Sequence, residues 1–102
     1  MQVPKWVIRK DDNRYLIRDR VLLDFTVSET KLRGLRETLG HSHPYEEMYV
    51  FTGGNGIMRI GDNDKSVLGG SILYVPSGEF HQVRNRQMST LTFVCIFKKE
   101  VT

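Results

Sequence analysis

Cysteine occurs once in this chain of 102 residues, at Cys95, so no disulfide can form within it and the fold must rest on its packed core. A single free thiol is ordinary in a reducing compartment, and the cytoplasm is the expected location. Long apolar runs are also missing: no stretch approaches the roughly 18 residues of a membrane span. The opening Met1-Gln2-Val3-Pro4-Lys5 lacks the apolar core of a secretory signal. Charge of one sign is not in excess either. With 15 basic and 12 acidic residues the net charge is +3, too mild for a dedicated nucleic-acid binder. Neither nucleic acid nor a membrane is therefore an expected partner. There is no internal repeat, and residues 1–102 read as one domain with a modest core.

Histidine is as scarce as these absences, and its placement is the strongest signal in the chain. The three histidines, His41, His43 and His81, all fall in two motifs. One is Gly40-His41-Ser42-His43-Pro44-Tyr45-Glu46-Glu47; the other runs from Gly70 through Pro76, Gly78 and His81 to Asn85. Imidazole and carboxylate bind divalent transition metals near neutral pH. Two imidazoles at i and i+2 point to the same face of a strand, about 6.5–7 Å apart along the backbone. On a helix they would lie roughly 200° apart and could not share an ion. Glu47 can return to the same face after a short turn, and His81 must arrive from a distant strand. A closed β-barrel, whose inward side chains converge, brings such residues together.

The rest of the pattern is that of an all-β chain. Expected strands are Lys5–Lys10, Tyr15–Ile17, Val21–Val27, Lys31–Leu35, Thr38–His43, Glu47–Thr52, Gly56–Ile60, Lys65–Leu68, Ser71–Val75, His81–Val83 and Leu91–Phe97. Turn residues separate several of them, as in Asp11-Asp12-Asn13, Gly53-Gly54-Asn55-Gly56 and Pro76-Ser77-Gly78. Short strands at close spacing argue a barrel or jelly roll. A helix over Glu29–Leu39 is the competing pattern, since Leu32, Leu35, Arg36 and Leu39 fit a 3.6-residue period. It would leave too little strand to aim His41, so β-structure is expected there.

At the motif residues the chain resembles the cupin family. His41-x-His43, Glu47 and Gly54 match the family's first motif, and Gly70, Pro76, Gly78, His81 and Asn85 match its second without a gap. The departure is the leading glycine of the first motif: Gly34 sits one residue early and position 35 is Leu. The resemblance implies a single-domain jelly-roll β-barrel with His41, His43, Glu47 and His81 as metal ligands. Glu46 is the rival carboxylate, but family spacing leaves three or four residues before it, and Glu46 would leave two. One divalent transition metal per chain is expected, with Mn, Fe, Co, Ni, Cu and Zn not distinguished.

Strand parity places Tyr49 and Phe51 on the face of Glu47 and Val83 on that of His81; by resemblance Phe93 and Cys95 form further pocket wall. For Cys95 the plainer reading, a small buried hydrophobe, is favoured. Arg33, Arg36, Arg59, Arg84 and Arg86 could anchor an anion if any reaches the cavity mouth, although solvated surface charge is the commoner fate of each. Three functions stay open. The first is a metal-dependent isomerase, lyase or dioxygenase acting on a small oxygen-rich molecule. The second is a non-catalytic ligand-binding or sensing module, or a metal that only braces the barrel. The third, an RNA-binding barrel using Trp6, Arg9, Arg14 and Tyr15, leaves the metal motif unexplained. A homodimer is expected, with Val3–Lys10 as a strand for a second copy.

Overall fold

The computed structural model describes residues 4–98, and Val3 of the expected pairing segment lies outside them. Nine strands follow one another: β1 Val7–Asp11, β2 Tyr15–Leu22, β3 Phe25–Leu32, β4 Glu47–Gly53, β5 Asn55–Ile60, β6 Asn63–Leu68, β7 Ile72–Val75, β8 His81–Arg84 and β9 Leu91–Phe97. They form a six-stranded antiparallel sheet, ordered β1-β2-β3-β9-β4-β7, and a three-stranded sheet, β6-β5-β8. This is the all-β jelly roll that the sequence implies.

Alternation decides which face each strand buries. On β4 the buried residues are Glu47, Tyr49 and Phe51; on β9 they are Leu91, Phe93 and Cys95. Tyr15, Ile17 and Leu32 join them from β2 and β3, and the small sheet contributes Met58, Val67 and Val83. The core therefore lies between the two sheets. Phe51, Phe93, Leu32 and Met58 are at most 2% exposed, and fully burying such a side chain contributes about 1.5–3 kcal/mol.

Three expected elements differ in the structure. Val21–Val27 is not one strand, because β2 and β3 are joined by a two-residue turn at Leu23-Asp24, with Leu22 opposite Phe25. Lys31–Leu35 ends as a strand at Leu32 and then turns. Thr38–His43 is not a strand; it meets the small sheet through Thr38 hydrogen bonds to Val83 and the isolated bridge His41 to His81, with a further bridge from Glu37 to Arg84 just before it. No helix forms over Glu29–Leu39, since residues to Leu32 pair fully with β2 and β9. Closure between the sheets thus comes from bridges, not from a continuous ladder among the described residues.

Two leucines sit in the left-handed region, Leu23 at φ 56° and Leu35 at φ 60°. Leu35 holds the position where the family motif has glycine, so the bend is kept and only the residue best suited to it is missing. At Leu23 the positive φ falls on the first central residue of a two-residue hairpin, where glycine is preferred. Leu23 is 93% exposed and has no packing to lose. Leu23→Gly is expected to stabilise the fold by about 1 kcal/mol, because an L-residue in this conformation costs roughly 1–2 kcal/mol. An urea-unfolding midpoint shifted upward, with unchanged slope, is the expected reading.

Candidate metal centre

The segment before β4 is held by backbone contacts that aim its histidines. His41 and His81 exchange two hydrogen bonds, His41 N to His81 O at 3.2 Å and His81 N to His41 O at 2.9 Å. Thr38 extends the seam: its N–H donates to Val83 O, and its hydroxyl accepts from Val83 N, both at 2.9 Å. The Pro76-Ser77-Gly78 turn supplies the third hold. Gly78 adopts φ 82°, a conformation that suits glycine, and its N–H reaches His43 O at 2.8 Å. Asn85, 3% exposed, closes the far end by donating to the carbonyls of Leu32, Arg33 and Ser89. The second motif's Pro-x-Gly and Asn are thus structural supports of the first.

These supports bring His41, His43, Glu47 and His81 together, with one ligand-type atom of each within 4.8 Å of all the others. Ring centroids lie 5.1 Å apart for His41 and His43, 4.6 Å for His41 and His81, and 4.9 Å for His43 and His81. Glu47 Oε1 meets His43 Nε2 and lies 3.6 Å from His81 Nε2. His41 is at the exposed rim, His43 is half-buried, and Glu47 and His81 are buried.

All three Nδ1 atoms point at backbone carbonyls: His41 to Leu39 O at 3.1 Å, His43 to Tyr45 O at 3.3 Å, His81 to Glu79 O at 3.0 Å. Carbonyls only accept, so each neutral ring carries its proton on Nδ1 and turns the Nε2 lone pair toward the common point. That second hydrogen bond is what fixes the tautomer of a metal-binding imidazole. His81 Nε2 is buried and has no hydrogen-bond partner. Leaving such an atom unsatisfied costs about 1–3 kcal/mol, and a cation among the four side chains would satisfy it. The donor set fits a divalent transition ion.

The charges follow from the burial. Desolvation holds the His43 imidazolium below its ordinary pKa, with Glu47 only partly offsetting it. For His81 burial also opposes the charge, but Glu47 and the Glu79 carbonyl outweigh it and leave the pKa raised. Burial pushes Tyr49 well up. Burial, reinforced by the Glu47 carboxylate, likewise raises the Cys95 thiol, which keeps it protonated and inert.

A cavity of about 450 Å³ runs from His41, His43 and Glu47 along the large sheet, without reaching His81 or the small sheet. Tyr49, Phe93 and Cys95 line it. Phe51 and Val83 do not; each is 1% exposed and packed deeper in the core. None of Arg33, Arg36, Arg59, Arg84 and Arg86 reaches it: Arg59 and Arg84 pair with Asp64, and Arg33 with Asp11. Glu46 turns outward and accepts from the Tyr74 hydroxyl at 2.5 Å. Two wall elements were not foreseen. Tyr45 stacks on His43 at 4.1 Å and on Phe97 at 5.1 Å. The other is the row Tyr15, Ile17 and Asp19 on β2 facing Ser28 and Thr30 on β3, together with Arg9; parity along an eight-residue β2 would have found that row. A broader depression of about 1050 Å³ lies against Met48, Tyr74 and Ile96 and contains none of the imidazoles.

Residues 33–97 match the cupin domain. The chain belongs to the cupin family. No curated protein sequence matches it. Among solved cupin-like structures, a Photorhabdus luminescens protein is 25% identical over 92% of this chain and 88% of its own, with a TM-score of 0.77. A Rhodospirillum rubrum cupin-2 domain is 15% identical, over 97% and 72%, at 0.83. A Thermotoga maritima protein described as a predicted oxalate decarboxylase is 16% identical, over 97% and 100%, at 0.83. At the last two identities the likeness is one of fold. In this cupin no helix among the described residues is long and apolar enough to cross a membrane.

Proposed function

We propose that His41, His43, Glu47 and His81 hold one divalent transition metal, and that the chain is a metal-dependent enzyme acting on a small oxygen-rich molecule. The observation that carries the reading is the buried, unpartnered Nε2 of His81, set beside a buried carboxylate and two more imidazoles of the same tautomer. A divalent ion at such a site supplies Lewis-acid polarisation of a carbonyl or hydroxyl, or a redox centre for O2. The chain's own groups do the rest. The three carbonyl-anchored rings keep their lone pairs on one point, and Tyr49 and Phe93 exclude water from the cavity wall. His41 stays at the exposed rim of the cavity. The decarboxylase description of the Thermotoga maritima protein rests on a likeness of fold and does not select the reaction.

One observation favours the second reading, a binding module without turnover. Tyr49 and Cys95 are held protonated by burial, so few groups beside the ligands exchange a proton near neutral pH. Turnover of a bound ligand separates the two. The homodimer reading rests on β1 and β7, the outermost strands of the large sheet, β1 being exposed along its whole length; light scattering showing a monomer at micromolar concentration would count against it.

For the metal itself, one ion per chain is the expected content. His81→Ala should weaken binding at least about tenfold, the scale seen for losses even outside the first coordination sphere. The metal takes neutral rings, and protons compete for them. Affinity should therefore fall as pH drops below about 6.5, the ordinary imidazole value, with His81, whose pKa is raised, resisting the metal first. Equal metal content in the native chain and a His41→Ala/His81→Ala variant, read by elemental analysis, would sink the assignment.

A further inference from the structure

The cavity has a second polar end, across the large sheet from the histidines. Inward residues align in a row: Tyr49 on β4 opposes Cys95 on β9, Cys95 opposes Ser28 on β3, and Ser28 opposes Asp19 on β2. Three strand spacings separate the ends of that row, roughly 14 Å of sheet before curvature shortens it. At the far end Arg9 Nε donates to Asp19 Oδ2 at 2.7 Å, and Arg9 Nη2 donates to Ser28 Oγ at 3.2 Å.

Arg9 reaches this end because of a backbone irregularity. Ile8 pairs with Arg18 and Lys10 with Ile17, so Arg9 is the extra residue of a β-bulge. Bulges re-aim a side chain, and they recur beside functional sites. Here an edge strand exposed along its whole length sends one guanidinium to the cavity lining. The pair it makes is electrically neutral, so a second anion is not what this end selects. Asp19 Oδ1 is buried and has no hydrogen-bond partner; a carboxylate oxygen accepts only. A guanidinium has five N–H donors, and two are committed to Asp19 and Ser28. Oδ1 is enclosed, so it is the rest of the Asp19 carboxylate, with Arg9, that borders the cavity. A group that both donates to an acid and accepts from a guanidinium suits the pair, and neighbouring hydroxyls on a carbon chain do both. Ser28 and Thr30, 2% and 4% exposed, add two more hydroxyls at this end of the lining.

We infer that Asp19 and Arg9 select the tail of a polyhydroxylated carboxylic acid whose carboxylate and adjacent hydroxyl face the histidine cluster. The inference rests on the metal-centre reading for the head of the ligand and adds the tail. A ligand the size of oxalate held at the imidazoles makes no contact with Asp19 or Arg9; a sugar acid extends toward them along the lining, past Tyr49 and Phe93.

The test is calorimetry on the full chain loaded with Mn(II), using acids that share one head. Gluconate and galactonate carry tail hydroxyls, and 2-hydroxyhexanoate has the same carbon chain without them. At least one sugar acid should bind about tenfold tighter than 2-hydroxyhexanoate, the worth of one to two hydrogen bonds. Asp19→Asn and Arg9→Gln, checked for native melting, should each remove most of that gain. Both should leave 2-hydroxyhexanoate affinity and Mn(II) content within about twofold, since neither side chain is in the metal cluster. If all three acids bind alike, or both folded variants keep the full preference, the second end has no such role. A native chain that takes up no Mn(II) overturns the metal-centre reading instead.

Discussion

Two hydrogen bonds between the backbones of His41 and His81 hold the site together, and much else is arranged around them. The chain leaves the large sheet at Leu32 and returns to it at Glu47. In between it has no ladder of its own, and no residue from 33 to 46 is buried, so core packing does not fix the path of this stretch. The bridge at His41, the Thr38 contacts to Val83 and the Gly78 N–H to His43 fix it instead. Two of the three act on a histidine directly, at His41 and at His43, so the backbone contacts that fix the path also place the imidazoles. Asn85 extends it by tying the end of β3 to the loop after β8 through three carbonyls.

The fold and the meeting of three histidines with Glu47 were legible because both depend on residue type at fixed spacing. The scarcity of histidine made the two motifs stand out, and alternation on β4 and β9 gave the buried face. What stayed hidden depended on backbone conformations that the local sequence does not advertise. The turn at Leu23-Asp24 carries no glycine or asparagine, and its positive φ falls on a leucine, so an uninterrupted strand over Val21–Val27 was the natural reading. The His-x-His segment reads as a strand by spacing but is held by bridges, because its neighbours at 34–36 turn and its partner β8 is only four residues long. Parity rightly gave Phe51 and Val83 an inward face, but it cannot say how deep an inward residue lies. Arg9 was invisible as a cavity residue because a bulge shifts the register without any sequence mark.

Electrostatically the cavity is divided. Near the histidines, burial and Glu47 act on His43 and His81 in opposite net directions, so the rings differ in how readily each gives up a proton. At the other end Arg9 and Asp19 cancel in charge, with Arg9 N–H donors beyond those given to Asp19 and Ser28. Between them the wall is aromatic, with Tyr49 and Phe93 stacked at 5.5 Å. A few convergent polar groups in a mostly apolar wall are how small-molecule sites achieve orientation.

The central claim is that three imidazoles and one carboxylate share a single ion. X-ray absorption on the chain loaded with one equivalent of Zn(II) addresses it most directly. The account predicts an inner shell of nitrogen and oxygen only, at about 2.0–2.2 Å, with outer-shell scattering from three imidazole rings that falls to two in His81→Ala. A sulfur scatterer from Cys95, or a spectrum with one imidazole or none, would contradict it.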